Sequence, residues 1–354
     1  MRLLDKTLEQ IVPQDQAARE KARERLDQLT MPHWALGRLM DVAIDLAGIT
    51  RSMTPPVAER VIVTMAADHG VVAEGVSKYP QEVTVQMVYN FLQGGAGINA
   101  MARVANALVV VVDMGVAGDI AGAPQDGSFF SKRIGAGTRN IGEGPAMSHD
   151  EAVRSIEAGI EIALELGASF DIFGTGDMGI GNTTPSSAIV AAVTGASPAS
   201  VTGRGTGIDD SQFQHKVSVI EKILRVNNPD PKNALDLLAK VGGFEIGGIA
   251  GLILGAASIR KPILIDGFIS TAGALIAYGL APEAADYMIA AHRSVEQGHR
   301  VALDHLKKQP LLDLDLRLGE GTGAAMAMTL VEAAVRILTE VATFAEAAVS
   351  EADK

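Results

Sequence analysis

The chain predicts an α/β fold: a mostly parallel sheet with helices on both faces, joined to a small helical domain built from the N- and C-terminal segments. Three observations predict it. Apolar, largely β-branched runs recur at 61–67, 107–115, 170–174, 262–265 and 288–291. Helical patterns separate them, as crossover connections between parallel strands require. Polar residues or glycine end each run: Asp68-His69-Gly70, Asp113-Met114-Gly115, Gly174, Asp266-Gly267 and His292-Arg293-Ser294. Open α/β sheets place their ligand contacts at such strand exits, so the sheet is expected to be Rossmann-like. The small helical domain is expected to comprise 1–50 with 324–354, and the large α/β domain 51–323.

Composition narrows the function classes. A chain of 354 residues is long enough to bury a substantial core. With 47% hydrophobic but only 4% aromatic residues, Ala, Val, Ile, Leu and Met must fill it. Cysteine is absent, which rules out disulfides and thiolate chemistry and suits a cytoplasmic location. The formal charge of -12 argues against a nucleic-acid partner, which needs basic clustering. The N-terminus carries no signal-peptide pattern, and no uninterrupted apolar run reaches the roughly 18 residues of a membrane span, so no membrane partner is expected.

Taken in order, residues 1 to about 30 are charged and helical in pattern, and Pro32-His33-Trp34 breaks them. A second helix carries Leu39, Met40, Ala43, Ile44 and Ala47 at helical spacing. Trp34, the only tryptophan, reads as a packing anchor. After the 61–67 strand, Asp68 and His69 are either ligand contacts or a turn with a side-chain cap. A helix holding Val85, Val88 and Phe91 follows, and Gly94-Gly95-Ala96-Gly97 opens another. The 107–115 run is the clearest parallel strand. Residues 117–147 read as a long loop region with short extended pieces, a length that inside a compact domain is usually functional or poorly ordered. His149 opens a helix to Leu166.

Four glycine-rich stretches carry the chemistry. The 170–174 strand feeds Gly176-Asp177-Met178-Gly179-Ile180-Gly181-Asn182-Thr183-Thr184 and then an Ala/Val helix. Strand, Gly loop and helix start together offer backbone N–H groups to a phosphate. The spacing fits neither the dinucleotide nor the Walker fingerprint. Gly203-Arg204-Gly205-Thr206-Gly207 repeats the theme before a helix whose Lys216 either reaches an anion or is a solvated surface lysine. Gly242-Gly243-Phe244-Glu245-Ile246 precedes a small-residue helix. Last, Leu316-Arg317-Leu318-Gly319-Glu320-Gly321-Thr322-Gly323 sets one carboxylate between glycines ahead of an Ala-rich helix over 324–350. Glu320 is there either as an acid favoured by the helix dipole or as a general base. The seven histidines give no convincing metal set, even counting His292 and His299, seven residues apart.

Together these motifs, with Ile265-Asp266-Gly267-Phe268 and His292-Arg293-Ser294, resemble the nicotinate-nucleotide:dimethylbenzimidazole phosphoribosyltransferase (CobT) family. The similarity runs from Leu36 to Gly323, six motifs in the same order. The resemblance implies transfer of 5-phosphoribosyl from nicotinate mononucleotide to 5,6-dimethylbenzimidazole or a related base in cobalamin synthesis, without a cofactor or metal, by a homodimer whose partner subunit closes part of the cleft. It implies Glu320 and Asp177 as catalytic carboxylates. It assigns Gly179, Gly181, Asn182, Thr183, Gly205, Lys216, Ser294 and Arg317 to the phosphoribosyl and nicotinate end, and Tyr79, Gln86, Met87, Leu318 and Gly319 to the acceptor base. The chain departs from the family pattern at Asp177, where many relatives carry Glu, at Tyr79, where a small polar residue occurs, and at Pro32-His33-Trp34-Ala35. A nicotinamide-dependent oxidoreductase is the competing enzyme class; a nucleotide-binding module is the non-catalytic one. The first lacks its fingerprint, and the second has no need of an acid at 320.

Overall fold

The computed structural model describes residues 2–203 and 209–350. Three helices open it: α1 (Leu3–Gln10), α2 (Gln16–Leu26) and α3 (Arg38–Thr50). Strand β1 (Arg60–Ala67) leads through α4 (Val83–Leu92) and α5 (Gly97–Ala105) to β2 (Ala107–Gly115) and β3 (Phe129–Ser131). Helix α6 (His149–Leu166) precedes β4 (Ile172–Met178). Then come α7 (Thr183–Thr194), α8 (Pro198–Val201), α9 (Asp210–Asn227), α10 (Ala234–Val241) and α11 (Phe244–Ser258). The chain continues with β5 (Ile263–Ile265), α12 (Phe268–Leu280), β6 (Met288–Ala290), α13 (Gln297–His305), α14 (Thr322–Glu340) and α15 (Phe344–Ala347).

The six strands form one sheet, every pairing in it parallel, in the order β3-β2-β1-β4-β5-β6. The chain runs outward from β1 to β3, then crosses back and runs outward again from β4. The order therefore reverses between β1 and β4, and the crevice outside that reversal is where such a sheet binds ligands. At that point Met65 lies opposite Asp177 and Ala66 opposite Met178.

Two cores sandwich the sheet. On one face α6 and α11 cross with their backbones nearly touching: a methyl group on Gly159 would sit 2.0 Å from the Gly248 carbonyl oxygen, and one on Gly251 1.9 Å from that of Ile156. Helix α11 is buried from Phe244 to Ala257, which only an all-round apolar, glycine-rich helix tolerates. On the other face α3, α5 and α14 share a core with Ile62, Val111 and Leu264 of the sheet. Helix α14 has the length and apolarity to cross a membrane, yet 61% of that window is buried inside the fold. Its apolarity is thus accounted for by packing. Trp34 is half-buried against this second core, its indole N–H donating to Asp41 at 3.2 Å.

Most expected elements stand where the sequence places them. Ser148 caps α6 by accepting the Glu151 N–H while Glu151 returns the bond. Three expectations need correcting. The single helix expected over 324–350 is two: α14 ends at Glu340, Val341 is extended, and α15 starts at Phe344. Strand β4 does not stop at Gly174 but runs on through Asp177 to Met178, paired with β1. Its glycines are there for close approach rather than turning: methyl groups on Gly174 and Gly176 would meet Ile62 Cδ1 at 2.4 Å and the Glu320 carbonyl oxygen at 2.3 Å. Residues 268–280, which followed Asp266-Gly267 with no helix assigned, form α12. Residues Phe268 to Ala277 of it are all buried, so no polar face marks a helical period.

Candidate active site

The site lies at the reversal between β1 and β4, in a cleft of about 700 Å³. Glu320 sits in its floor. The backbone at Gly319, Glu320 and Gly321 has φ of 78°, 62° and 100°. Glycine adopts this left-handed region freely, whereas a side chain there costs about 1–2 kcal/mol. The fold supplies what holds it. The Thr64 hydroxyl donates to the Glu320 carbonyl oxygen at 2.8 Å. The Gly176 position of β4 presses against the same peptide. The carboxylate turns towards α5 and accepts the Ile98 N–H at 3.1 Å. Gly97 leaves it room, since a methyl group there would lie 3.3 Å from Glu320 Oε2.

The helix start that receives the carboxylate is therefore that of α5, across the cleft floor, and not the α14 that Glu320 precedes in sequence. The dipole also fails to favour the ionised form on balance, as the sequence position had implied. Burial pushes the Glu320 pKa above the usual carboxylate range; the Ile98 N–H draws it down and the nearby Asp266 pushes it further up. The net shift makes Glu320 a stronger base than a surface glutamate.

Asp177, the penultimate residue of β4, lies close enough to feel the charge of Glu320. Burial, then the charges of Asp266 and Glu245, raise its pKa well above the ordinary value. Its Oδ2 accepts from the Asn182 amide at 3.0 Å; its Oδ1 has no hydrogen-bond partner among the described residues and faces Gly319. Behind this pair the buried His69 Nε2 lies 2.7 Å from Glu245 Oε1. Asp68 accepts the Ala117 N–H at 2.8 Å. The 68–69 exit is thus a braced turn under the cleft, outside its lining.

A second part of the cleft is built on the start of α7. Gly179, Ile180, Asn182 and Thr183 line it, and Gly181 makes the turn at φ 91° against Val72. Lys216 reaches this loop: its ammonium donates to Thr183 Oγ1 at 2.7 Å, and it is only 2% exposed. Lys216 shares the buried stripe of α9 with Ile220, Ile223 and Asn227, which turns it inward instead of to solvent. Burial lowers its pKa to about 8, against an opposing pull from Glu296. Ser294 and Arg317 line the same cleft, Ser294 buried and Arg317 exposed at the mouth. Gly205 lies outside the described residues.

Tyr79, Val83, Met87 and Leu318 give the cleft an apolar mouth, with Gly319 beneath. Val83 and Met87 lie one helical turn apart on α4. Gln86 is exposed and does not line the cleft, because α4 turns Met87 to that side. Sequence reasoning had not assigned Val83, Ile180, Phe268, His292 or Glu296 to the site, although all line it. The i, i+4 spacing to Met87 was the signal available for Val83. His292 and His299 lie on no common helix, yet their ring centroids are 5.9 Å apart, one in the β6 exit and the other on α13. His299 accepts the Ser294 N–H at Nδ1, and burial lowers its pKa to about 3, so its proton sits on Nε2.

Comparison with known proteins places this geometry. A family model described as phosphoribosyltransferase matches residues 11–349. The nicotinate-nucleotide–dimethylbenzimidazole phosphoribosyltransferase of Syntrophotalea carbinolica is 64% identical over 351 residues, 99% of each chain. That of Desulfotalea psychrophila is 57% identical over the whole of both chains. The chain belongs to this phosphoribosyltransferase family. The crystal structure of CobT from Thermus thermophilus superposes with a TM-score of 0.90 at 45% identity, covering 95% of this chain and 100% of that one. The phosphoribosyltransferase thus has the fold of a solved relative along nearly its whole length.

Proposed function

We propose that the chain transfers 5-phosphoribosyl from nicotinate mononucleotide to 5,6-dimethylbenzimidazole or a related base, giving α-ribazole 5′-phosphate and nicotinate. One observation supports this above the others: a single cleft holds both a buried carboxylate of raised basicity and a lysine-backed helix start. The α7 N–H groups and Lys216 suit the donor phosphate, with Ser294 beside them and Arg317 at the mouth. Asp177, whose Oδ1 has no partner among the described residues, suits a hydrogen bond with a ribose hydroxyl. The apolar mouth of Tyr79, Val83, Met87 and Leu318 suits a flat aromatic acceptor.

The chemistry follows from those positions. The ring nitrogen of nicotinate is cationic in the donor, so the C1′–N bond breaks with the electron pair returning to nitrogen and no proton is needed for departure. One azole nitrogen attacks C1′ from the opposite face, which inverts β to α. The other azole nitrogen then becomes acidic, and its proton passes to Glu320. Holding both rings in line is the main task of the remaining residues. The test is to mix the protein, nicotinate mononucleotide and a benzimidazole and follow nicotinate by chromatography. Stoichiometric nicotinate release that depends on the base is expected; its absence with every azole tried would sink the proposal.

Lys216 gives a pH prediction. Its ammonium is charged below about 8 and neutral above. Donor kcat/KM should therefore fall above an apparent pKa near 8, since this ratio reports groups on the free enzyme. Lys216→Ala should raise donor KM at least about tenfold and abolish that alkaline limb. An unchanged KM would remove Lys216 from the phosphate end.

The same proposal includes a cytoplasmic homodimer whose partner closes the cleft mouth. The exposed apolar side chains of Tyr79 and Leu318 there, at 49% and 58%, support it.

A further inference from the structure

We propose that Asp266 is a positioning residue: together with Thr64 it fixes the left-handed turn that aims the Glu320 carboxylate into the cleft. The proposal rests on the general-base reading of Glu320. Asp266 directly follows β5, is fully buried and is not itself part of the cleft lining, although its Oδ1 lies 3.6 Å from Nε2 of the cleft-lining His292. Its own N–H donates to Thr175 Oγ1 of the neighbouring strand at 3.0 Å, which pins its backbone to the sheet. Its two carboxylate oxygens are spent on the chain around Glu320. Oδ2 accepts the Gly321 N–H at 3.2 Å and Oδ1 the Ala324 N–H at 2.9 Å.

This pattern differs from an ordinary helix cap. A cap is set by a residue just before its helix, and α14 has no such side chain: Gly321 stands at that place with φ of 100°. Asp266 takes that role from another strand, 55 residues away in sequence from Gly321. The consequence is that Gly321 N–H is fixed in direction, and with it the peptide plane that follows Glu320. Thr64 fixes the same peptide from the other side, through the Glu320 carbonyl oxygen at 2.8 Å. One peptide group, Glu320 C=O and Gly321 N–H, is thus gripped at both ends by side chains from β1 and the end of β5. A glutamate held at φ 62° without those grips would relax to negative φ, swinging its carboxylate away from Ile98 and from the cleft. The charge of Asp266 adds to the basicity of Glu320.

The test is a double-mutant cycle on kcat and donor KM with Asp266→Asn, Glu320→Gln and the pair. Asn keeps the size but presents an amide N–H₂ to one of the two N–H donors. Asp266→Asn is expected to lower kcat by about ten- to a hundredfold, the scale of a misplaced catalytic group, with donor KM changed by less than about twofold. In the Glu320→Gln background it should add no further loss, because it acts through Glu320. A folded Asp266→Asn with normal kcat, or an equal further loss in the Glu320→Gln background, overturns the proposal. If Asp266→Asn does not fold, Thr64→Val carries the same cycle: a kcat loss confined to the Glu320 background supports the double grip, and an unchanged kcat overturns it. A fully active Glu320→Gln is distinct from these results and would mean that the general-base reading itself is wrong.

Discussion

Glu320→Gln is expected to lower kcat by about two to four orders of magnitude, the contribution of one well-placed general base. Donor binding should stay close to wild type, because the phosphate site proposed above is built on α7 and α9 and not on the Glu320 carboxylate. The fold should also survive. Gln keeps an oxygen to accept the Ile98 N–H now bonded at 3.1 Å. The linkage sign agrees. Glu320 binds its proton more tightly folded than unfolded, so its contribution to stability is present at low pH and is lost as pH rises through the folded value. At neutral pH the neutral amide removes that penalty, and Tm should not fall. Steady-state kinetics with a melting curve check both halves. A drop in Tm accompanying lost activity would assign the effect to folding instead.

Gly159→Ala should be a severely damaging small change far from the cleft. Its methyl group would sit 2.0 Å from the Gly248 carbonyl oxygen, where α6 and α11 cross. The obstacle is backbone on a fully buried helix, so no side chain can swing aside; the helices must separate. Overpacking of this kind costs about 3 kcal/mol, a large share of the roughly 5–15 kcal/mol that stabilises a domain. Helix α11 also carries Glu245, the partner of His69 beneath the cleft, so activity should fall with stability. Chemical denaturation gives the number. A loss below about 0.5 kcal/mol would mean that the two helices are not packed as closely as their glycines imply.

The buried strands were legible because buried parallel strands are written as apolar, largely β-branched runs, whereas the short, half-exposed edge strand β3 lay hidden in the region read as a loop. Helices with one wet face were legible through their period. What escaped was whatever lacks such contrast. Helix α12 is buried from Phe268 to Ala277, so these residues carry no helical stripe. The end of β4 was hidden because Gly174 and Gly176 look like loop glycines, when they are there to let Ile62 and the Glu320 peptide come close. The site was legible as a set of motifs but not as a geometry. Nothing in the order of residues says that the Glu320 carboxylate rests on α5, or that Asp266 grips the turn beside it. Lys216 read alone as a solvated helix lysine and reached the site only through the family resemblance, although its phase with Ile220 and Ile223 on α9 already pointed it inward. Gln86 erred the other way, one position off the face that α4 gives to the cleft.

The stereochemistry of the product decides the matter. Protein incubated with nicotinate mononucleotide and 5,6-dimethylbenzimidazole should yield a phosphoribosylated base whose anomeric proton, read by NMR, reports the α configuration, because attack opposite the departing nicotinate inverts C1′. A β-linked product, or nicotinate released with only ribose phosphate beside it, would contradict an in-line transfer assisted by Glu320.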